Sequence, residues 1–225
     1  MPRTLLVDAD DTLWENITVF NGVNKAYVDW LLPGRTVAEM QSQLDELQIE
    51  FISTHGYGRD TFELSLVAGI ERFAGRTPTA DDVAHVHELV TPLRGDTLEL
   101  LDGVATTLEA LTKRVALILV TKGDSAEQQH KVECSGLAQF FNTIEILETK
   151  TPAEYASIVD RHGLDVETTW MVGNSPRSDI VPALEVGLGA IFIPHADTWS
   201  HEDAIVDDHP RLIQLSSFAE LLDHF

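Results

Sequence analysis

Residues 5–14, "LLVDADDTLW", run an apolar segment straight into three carboxylates and a threonine. A buried charge costs free energy unless it is paired or bound to a metal. Asp8, Asp10 and Asp11, crowded at the end of such a segment, therefore call for a cation. Residues two apart in a strand face the same side, which would aim Asp8 and Asp10 into one crevice. One carboxylate can then attack while its neighbour, kept protonated, donates to a leaving oxygen. The competing reading is structural, with Asp10 and Asp11 capping the turn that follows.

The elements that must position these side chains alternate along the chain. Short runs rich in branched apolar residues at 3–10, 115–120, 143–147, 169–172 and 190–193 read as strands buried in the middle of a parallel sheet. Helix starts lie between them: Asp124 followed by Glu127, Thr151 with Pro152 and Glu154, and Ser178 or Pro176 ahead of "DIVPALEVG". Gly136, Gly163 and Gly187 sit where those helices would stop. The alternation predicts an α/β fold with a doubly wound parallel sheet, whose ligand crevice lies at the carboxyl ends of the strands. From about residue 15 to 91 strand signals give way to helical periodicity. There "TVAE" (36–39) and "DTFE" (60–63) read as capping boxes, and "LLPG" and "AGRTPT" as helix ends. The expected organisation is a discontinuous core, 1–14 and 92–225, with a helical unit inserted at 15–91. The tail "ADTWSHEDAIVDDHP" reads as an acidic loop before a last strand and a short helix beginning near Ser217.

The chain has 225 residues, 44% hydrophobic and 23% charged, which suits a globular protein with one core and a sizeable insertion. A formal charge of -22 opposes nonspecific attachment to nucleic acid or anionic lipid. No stretch approaches membrane length and the first residues do not resemble a signal peptide, so a cytoplasmic location is expected. Cys134, the sole cysteine, excludes an intramolecular disulfide and a thiolate zinc site. The same negative field repels phosphate-bearing ligands, so any anion site must rest on local cations or backbone N–H groups.

"ILVTKGD" brings Thr121 to the end of the second strand, "ETKTP" places Lys150 after the third, and "WMVGNSPRSD" places Asn174, Ser175 and Asp179 after the fourth. Taken with "DADDT", their order and spacing resemble the haloacid dehalogenase (HAD) superfamily over nearly the whole chain. The resemblance implies a Rossmann-like core with a helical cap, and hydrolysis of a phosphate ester through an aspartyl phosphate. It implies Asp8 as nucleophile and Mg2+ ligand, and Asp10 as general acid and base whose carbonyl also meets the metal. Thr121 matches the hydroxyl that holds the phosphoryl group, and Lys150 the lysine that balances charge beside the nucleophile. Asn174 stands where the superfamily often has a metal-binding Asp, and Asp179 at the second acidic position of that motif. Asn174 brings the metal no full charge, and Asp11 replaces a frequent glycine. The dehalogenase branch lacks the second aspartate of the first motif and works without metal. Asp10 therefore favours a phosphatase, because an alkoxide leaving group benefits from a proton donor and a halide does not.

A cap in this position would close over the core site, exclude water and read the leaving group. Within it "STHGYGRDTF" (53–62) is a glycine-punctuated break, and His55, Tyr57 and Arg59 are its candidates for substrate contact, Arg59 suiting a second anionic group. Lys122 and Gly123, next to Thr121, are further candidates. Trp14, Phe20 and Tyr27 read as packing residues, and His195 as structural. The expectation is a Mg2+-dependent phosphatase acting on a small phosphorylated metabolite, with neither nucleic acid nor membrane as partner. A phosphotransferase, a haloacid- or phosphonate-cleaving relative and a noncatalytic phosphate-ligand-binding protein are the alternatives. The phosphonate case wants a cap lysine, and Lys25 is the only one.

Overall fold

The computed structural model describes residues 3–225. The chain divides into two compact units, one taking in the chain up to Ile17 together with Thr97–Phe225, the other Thr18–Asp96. The second is built from α1 (Ile17–Leu31), which starts at the boundary, α2 (Val37–His55), α3 (Arg59–Ala74) and α4 (Ala80–Leu89). Thr36 with Glu39 and Thr79 with Asp82 form reciprocal capping boxes at the starts of α2 and α4. The box expected at Asp60 does not form. Gly58 already opens α3, so Asp60 falls inside the first turn, where its charge suits the helix dipole and pairs with Arg59 at 2.7 Å. Val23, Tyr27, Leu44, Leu66, Ile70 and Val86 make this unit's core. The buried Tyr27 hydroxyl donates to the Leu66 carbonyl at 2.7 Å, and Phe20 meets Phe62 edge-on at 4.9 Å.

In the first unit six parallel strands, β1 (Thr4–Val7), β2 (Ala116–Lys122), β3 (Thr143–Leu147), β4 (Thr169–Gly173), β5 (Gly189–Phe192) and β6 (Leu212–Gln214), lie in the order β3-β2-β1-β4-β5-β6. Alternation splits the strand residues between two faces. Leu5, Val7, Leu117 and Leu119 pack with Val104, Leu108 and Leu111 of α5 (Val104–Leu111), Val132 of α6 (Ser125–Ser135) and Phe218 and Leu221 near the C-terminus. Leu6, Ile118, Val120 and Met171 meet Tyr155 and Ile158 of α7 (Pro152–His162) and Ala183 of α8 (Val181–Glu185). Cover on both faces is why these strands read as unbroken apolar runs. The result is the Rossmann-like, doubly wound sheet that the alternation predicts. Strand order reverses at β1, where Val7 lies opposite Leu119 on one side and Val172 on the other. Such a switch point opens a crevice at the carboxyl ends of the strands.

Two local expectations need correction. The first strand ends at Val7 rather than at residue 10. Asp8 N–H still donates to the Val172 carbonyl at 2.9 Å, but the Thr12 and Leu13 amides both return to the Ala9 carbonyl and close a turn. After β4, Ser175 is the capping residue, rather than Ser178 or Pro176: its side chain accepts the Ser178 amide of a π-helical turn, Pro176–Ile180, that runs into α8. Among the described residues no helix is long and apolar enough to cross a membrane.

Candidate active site

Asp8 follows β1, Thr121 lies near the end of β2, Lys150 precedes α7 and Asn174 follows β4. Lys150 Nζ lies 2.5 Å from Asp8 Oδ1 and 2.7 Å from Asp179 Oδ1, and all three residues are buried. Two carboxylates share one ammonium, which leaves the cluster one positive charge short. Burial and the nearby Asp179 charge push the Asp8 carboxyl up to about 7, against the pull of Lys150. For Lys150, burial disfavours the charge, but Asp179 and Asp8 outweigh it and keep the ammonium protonated. Asp179 Oδ2 accepts the Ser175 amide at 3.0 Å, so both its oxygens are engaged. Its carboxylate folds so closely against β4 that a Cβ on Gly173 would overlap it, and only glycine fits there.

Asp8 Oδ2 accepts the Thr12 hydroxyl at 3.0 Å. One corner of the Asn174 amide lies 3.3 Å from Thr12 Oγ1, Asp8 Oδ2 and the Asp10 carbonyl oxygen. With its NH2 group there, the amide donates to those oxygens. With Oδ1 there, carboxylate, carbonyl and amide oxygens converge, an arrangement that repels itself unless a cation lies among them. An all-oxygen set of this kind suits a hard divalent ion such as Mg2+. Asp179, expected as a metal ligand, holds Lys150 on one oxygen and the Ser175 amide on the other, while Asp8, the Asp10 carbonyl and Asn174 lie together.

The Asp10 carboxylate has a separate group of partners. It accepts Trp14 Nε1 at 2.7 Å, Lys131 Nζ at 3.1 Å and Gln128 Nε2 at 3.1 Å. Gln128 Oε1 in turn accepts the Thr121 hydroxyl at 3.0 Å, so one side chain of α6 links Thr121 to Asp10. Thr12, Gln128 and Lys131 were missing from the residues assigned on sequence. Thr12 sits inside the first motif, four residues after Asp8. Gln128 and Lys131 carry a weaker signal, two polar residues three apart on a helix that buries its Val132.

The model of the haloacid dehalogenase-like hydrolases matches residues 2–187. The chain belongs to this family. Mouse N-acylneuraminate-9-phosphatase is 32% identical over 96 residues, which span 40% of this chain and 39% of that protein. A haloacid dehalogenase-like hydrolase of Xanthomonas campestris superposes with a TM-score of 0.86 at 27% identity, covering 99% of this chain and 90% of its own. The 2-haloacid dehalogenase of Pseudomonas syringae pv. tomato superposes at 0.64 with 23% identity, covering 99% and 97%, a likeness of fold. Hydrolases named for different leaving groups thus share this frame, and the reaction must be read from the site.

The turn after β1 accounts for the residue that replaces a frequent glycine of the haloacid dehalogenase superfamily. Asp11 has φ 61, the left-handed region that short polar side chains tolerate, and its Oδ1 accepts the Asn16 and Ile17 amides at 2.8 Å. Burial pushes its carboxyl up to about 6, with the Ile17 amide opposing. Asp11, Glu15 and His195 offer ligand atoms within 4.8 Å of one another. His195 Nδ1 lies 3.3 Å from the Asp197 amide nitrogen. Its Nε2 faces Glu15 at 3.4 Å.

Lys122 Nζ lies 2.8 Å from Ser178 Oγ and 2.5 Å from Glu202 Oε1. Gly123 has φ 133, packs against the Gln128 side chain and donates its amide to Leu147 at 2.9 Å. The core edge therefore gathers Asp8, Asp10, Thr121, Lys150, Asn174 and Asp179. His55, Tyr57 and Arg59 belong to the helical unit: His55 ends α2, Tyr57 lies between two glycines, and Arg59 opens α3.

Proposed function

We propose that the chain is a Mg2+-dependent phosphatase that hydrolyses a small phosphomonoester in two steps. The observation that carries the reading is the buried group of Asp8, Asp179 and Lys150, one positive charge short, with the Asp10 carbonyl oxygen and the Asn174 amide 3.3 Å apart beside it. A carboxylate 3.5 Å from a phosphate oxygen is repelled by about 5 kcal/mol per unit charge at an effective dielectric near 20. Mg2+, held by Asp8, the Asp10 carbonyl and Asn174, would supply the charge that offsets this repulsion.

The remaining steps belong to the chain's own residues. The Asp8 carboxylate, oriented by Lys150 and Thr12, attacks phosphorus as the P–O bond to the leaving group breaks. A proton on Asp10 passes to the departing alkoxide. Water then attacks the aspartyl phosphate while the Asp10 carboxylate takes its proton, which releases phosphate and restores Asp8. Lys131, 3.1 Å away, matches the negative charge that Asp10 carries in this second step. Thr121, fixed by Gln128, offers its hydroxyl to the phosphoryl group. A proton donor beside the nucleophile serves an alkoxide rather than a halide, and the relation to a mouse phosphatase agrees. The substrate is then a small phosphorylated metabolite.

Release of phosphate from p-nitrophenyl phosphate, with Mg2+ and with EDTA, tests this. Metal-dependent release that is lost in Asp8→Asn is the expected result. Halide release from a 2-haloacid without metal, or undiminished turnover by Asp8→Asn, would refute it.

A further inference from the structure

The geometry points to Glu202 as a positioning residue whose carboxylate ties the last residue of β2 to the segment after β4 and holds that segment, from Asn174 to Asp179, in its working arrangement. The inference rests on the hydrolytic reading above. Glu202 lies on the short 3-10 turn Ser200–Glu202, beyond the residues matched by the family model. Its Oε1 meets Lys122 Nζ at 2.5 Å, and its Oε2 accepts the Ser175 and Ser178 hydroxyls at 2.7 and 2.5 Å. The set is closed. Ser178 Oγ also accepts Lys122 Nζ at 2.8 Å, and Ser175 Oγ accepts the Ser178 amide at 3.0 Å. Each partner of Glu202 is one step in sequence from a site residue: Lys122 follows Thr121, Ser175 follows Asn174, and Ser178 precedes Asp179.

The energetics favour a role in placement over one in bulk stability. The side chains of Lys122 and Glu202 are only 19% and 13% exposed, and desolvation offsets much of what such a pair gains. Burial would raise the Glu202 carboxyl, but the Lys122 ammonium and the serine hydroxyls outweigh it and hold it down at about 2. The tie is therefore ionised at any working pH. What it fixes is the π-helical turn that carries Asp179, and through Asp179 the ammonium of Lys150. Lys122, expected to meet substrate, spends its charge on this tie. Displacement of a catalytic group by about 1 Å can cost about a hundredfold in rate, so a loosened turn should appear in kcat.

The test uses the full chain carrying Glu202→Gln or Ser178→Ala, with p-nitrophenyl phosphate kinetics in Mg2+ and amide hydrogen exchange across residues 174–180. For Glu202→Gln the expected result is a kcat lower by about tenfold or more with KM within about twofold, and exchange of those amides faster by about tenfold. Ser178→Ala, which removes one arm, should move both in the same direction by less. A kcat within twofold of the parent, a loss confined to KM, or unchanged exchange would overturn the inference. If Glu202→Gln does not fold, Ser178→Ala decides by the same criteria. If the parent chain releases no phosphate from any monoester, the hydrolytic reading has failed. Exchange alone then decides the tie, with acceleration supporting it and no change overturning it.

Discussion

Replacing Asp8 with Asn should stop turnover and yet stabilise the metal-free protein. Asp8 shares Lys150 with Asp179, and its carboxyl is pushed from 3.8 to about 7, with burial the largest cause. A pKa unit corresponds to about 1.4 kcal/mol, so holding the buried charge at pH 8 costs on the order of 4 kcal/mol. Asn keeps an oxygen for Lys150, whose preference for the charged form the raised value already contains, so the gain stays on the order of 4 kcal/mol or less, and the melting temperature should rise by several degrees for a chain of this size. The sign follows from the raised pKa. Above pH 7 Asp8 is ionised in both folded and unfolded states and the penalty is complete. It shrinks as pH falls from 7 towards 4, where both states hold the proton. Thermal unfolding in EDTA at pH 8 and pH 5 should show the Asp8→Asn advantage at the first and little of it at the second. Excess Mg2+ should raise the parent's midpoint and close the gap. A variant that melts below the parent in EDTA at pH 8, or a gap that widens towards pH 5, would refute the charge deficit at Asp8.

Asn174→Asp adds a full charge to the oxygen set, so the half-saturating Mg2+ concentration measured by calorimetry should fall about tenfold, while the melting temperature in EDTA drops as a third carboxylate joins Asp8 and Asp179. Unchanged metal affinity would remove Asn174 from the site. Gly173→Ala sets a methyl group against the Asp179 carboxylate, which should destabilise the core by about 1–3 kcal/mol and lower kcat by about a hundredfold. Denaturant unfolding and p-nitrophenyl phosphate kinetics read the two effects, and parental values in both would show that the turn yields without consequence.

The central sheet was legible because strands buried on both faces carry no polar alternation to confuse the pattern: Leu5 to Val7 and Leu117 to Val120 are apolar without a break. Caps were legible where a hydroxyl or carboxylate residue precedes an acidic one by three, as at Thr36, Asp124 and Thr151. Asp60 has the same spacing and fails, because Gly56 and Gly58 turn the chain first and the helix is already under way. The first strand was read three residues too long for a related reason. Composition does not encode the left-handed Asp11, whose carboxylate takes the Asn16 and Ile17 amides in the turn after the strand.

The site residues at strand ends were legible because sheet order alone gathers them, whereas Gln128 and Lys131 reach the site from a helix with only a weak spacing signal and Glu202 from a loop with none. Those partners change the electrostatic argument. Three lysines stand at this edge, and each is already paired: Lys150 with Asp8 and Asp179, Lys131 with Asp10, Lys122 with Glu202. With Glu127 also 3.8 Å from Lys131, carboxylates outnumber ammonium groups at this edge, within a chain of formal charge -22. Such an edge repels a phosphate monoester on its own. On the proposed reading a divalent cation offsets this deficit, and the charge that admits the substrate must then come from solution rather than from the lysines that the sequence displays.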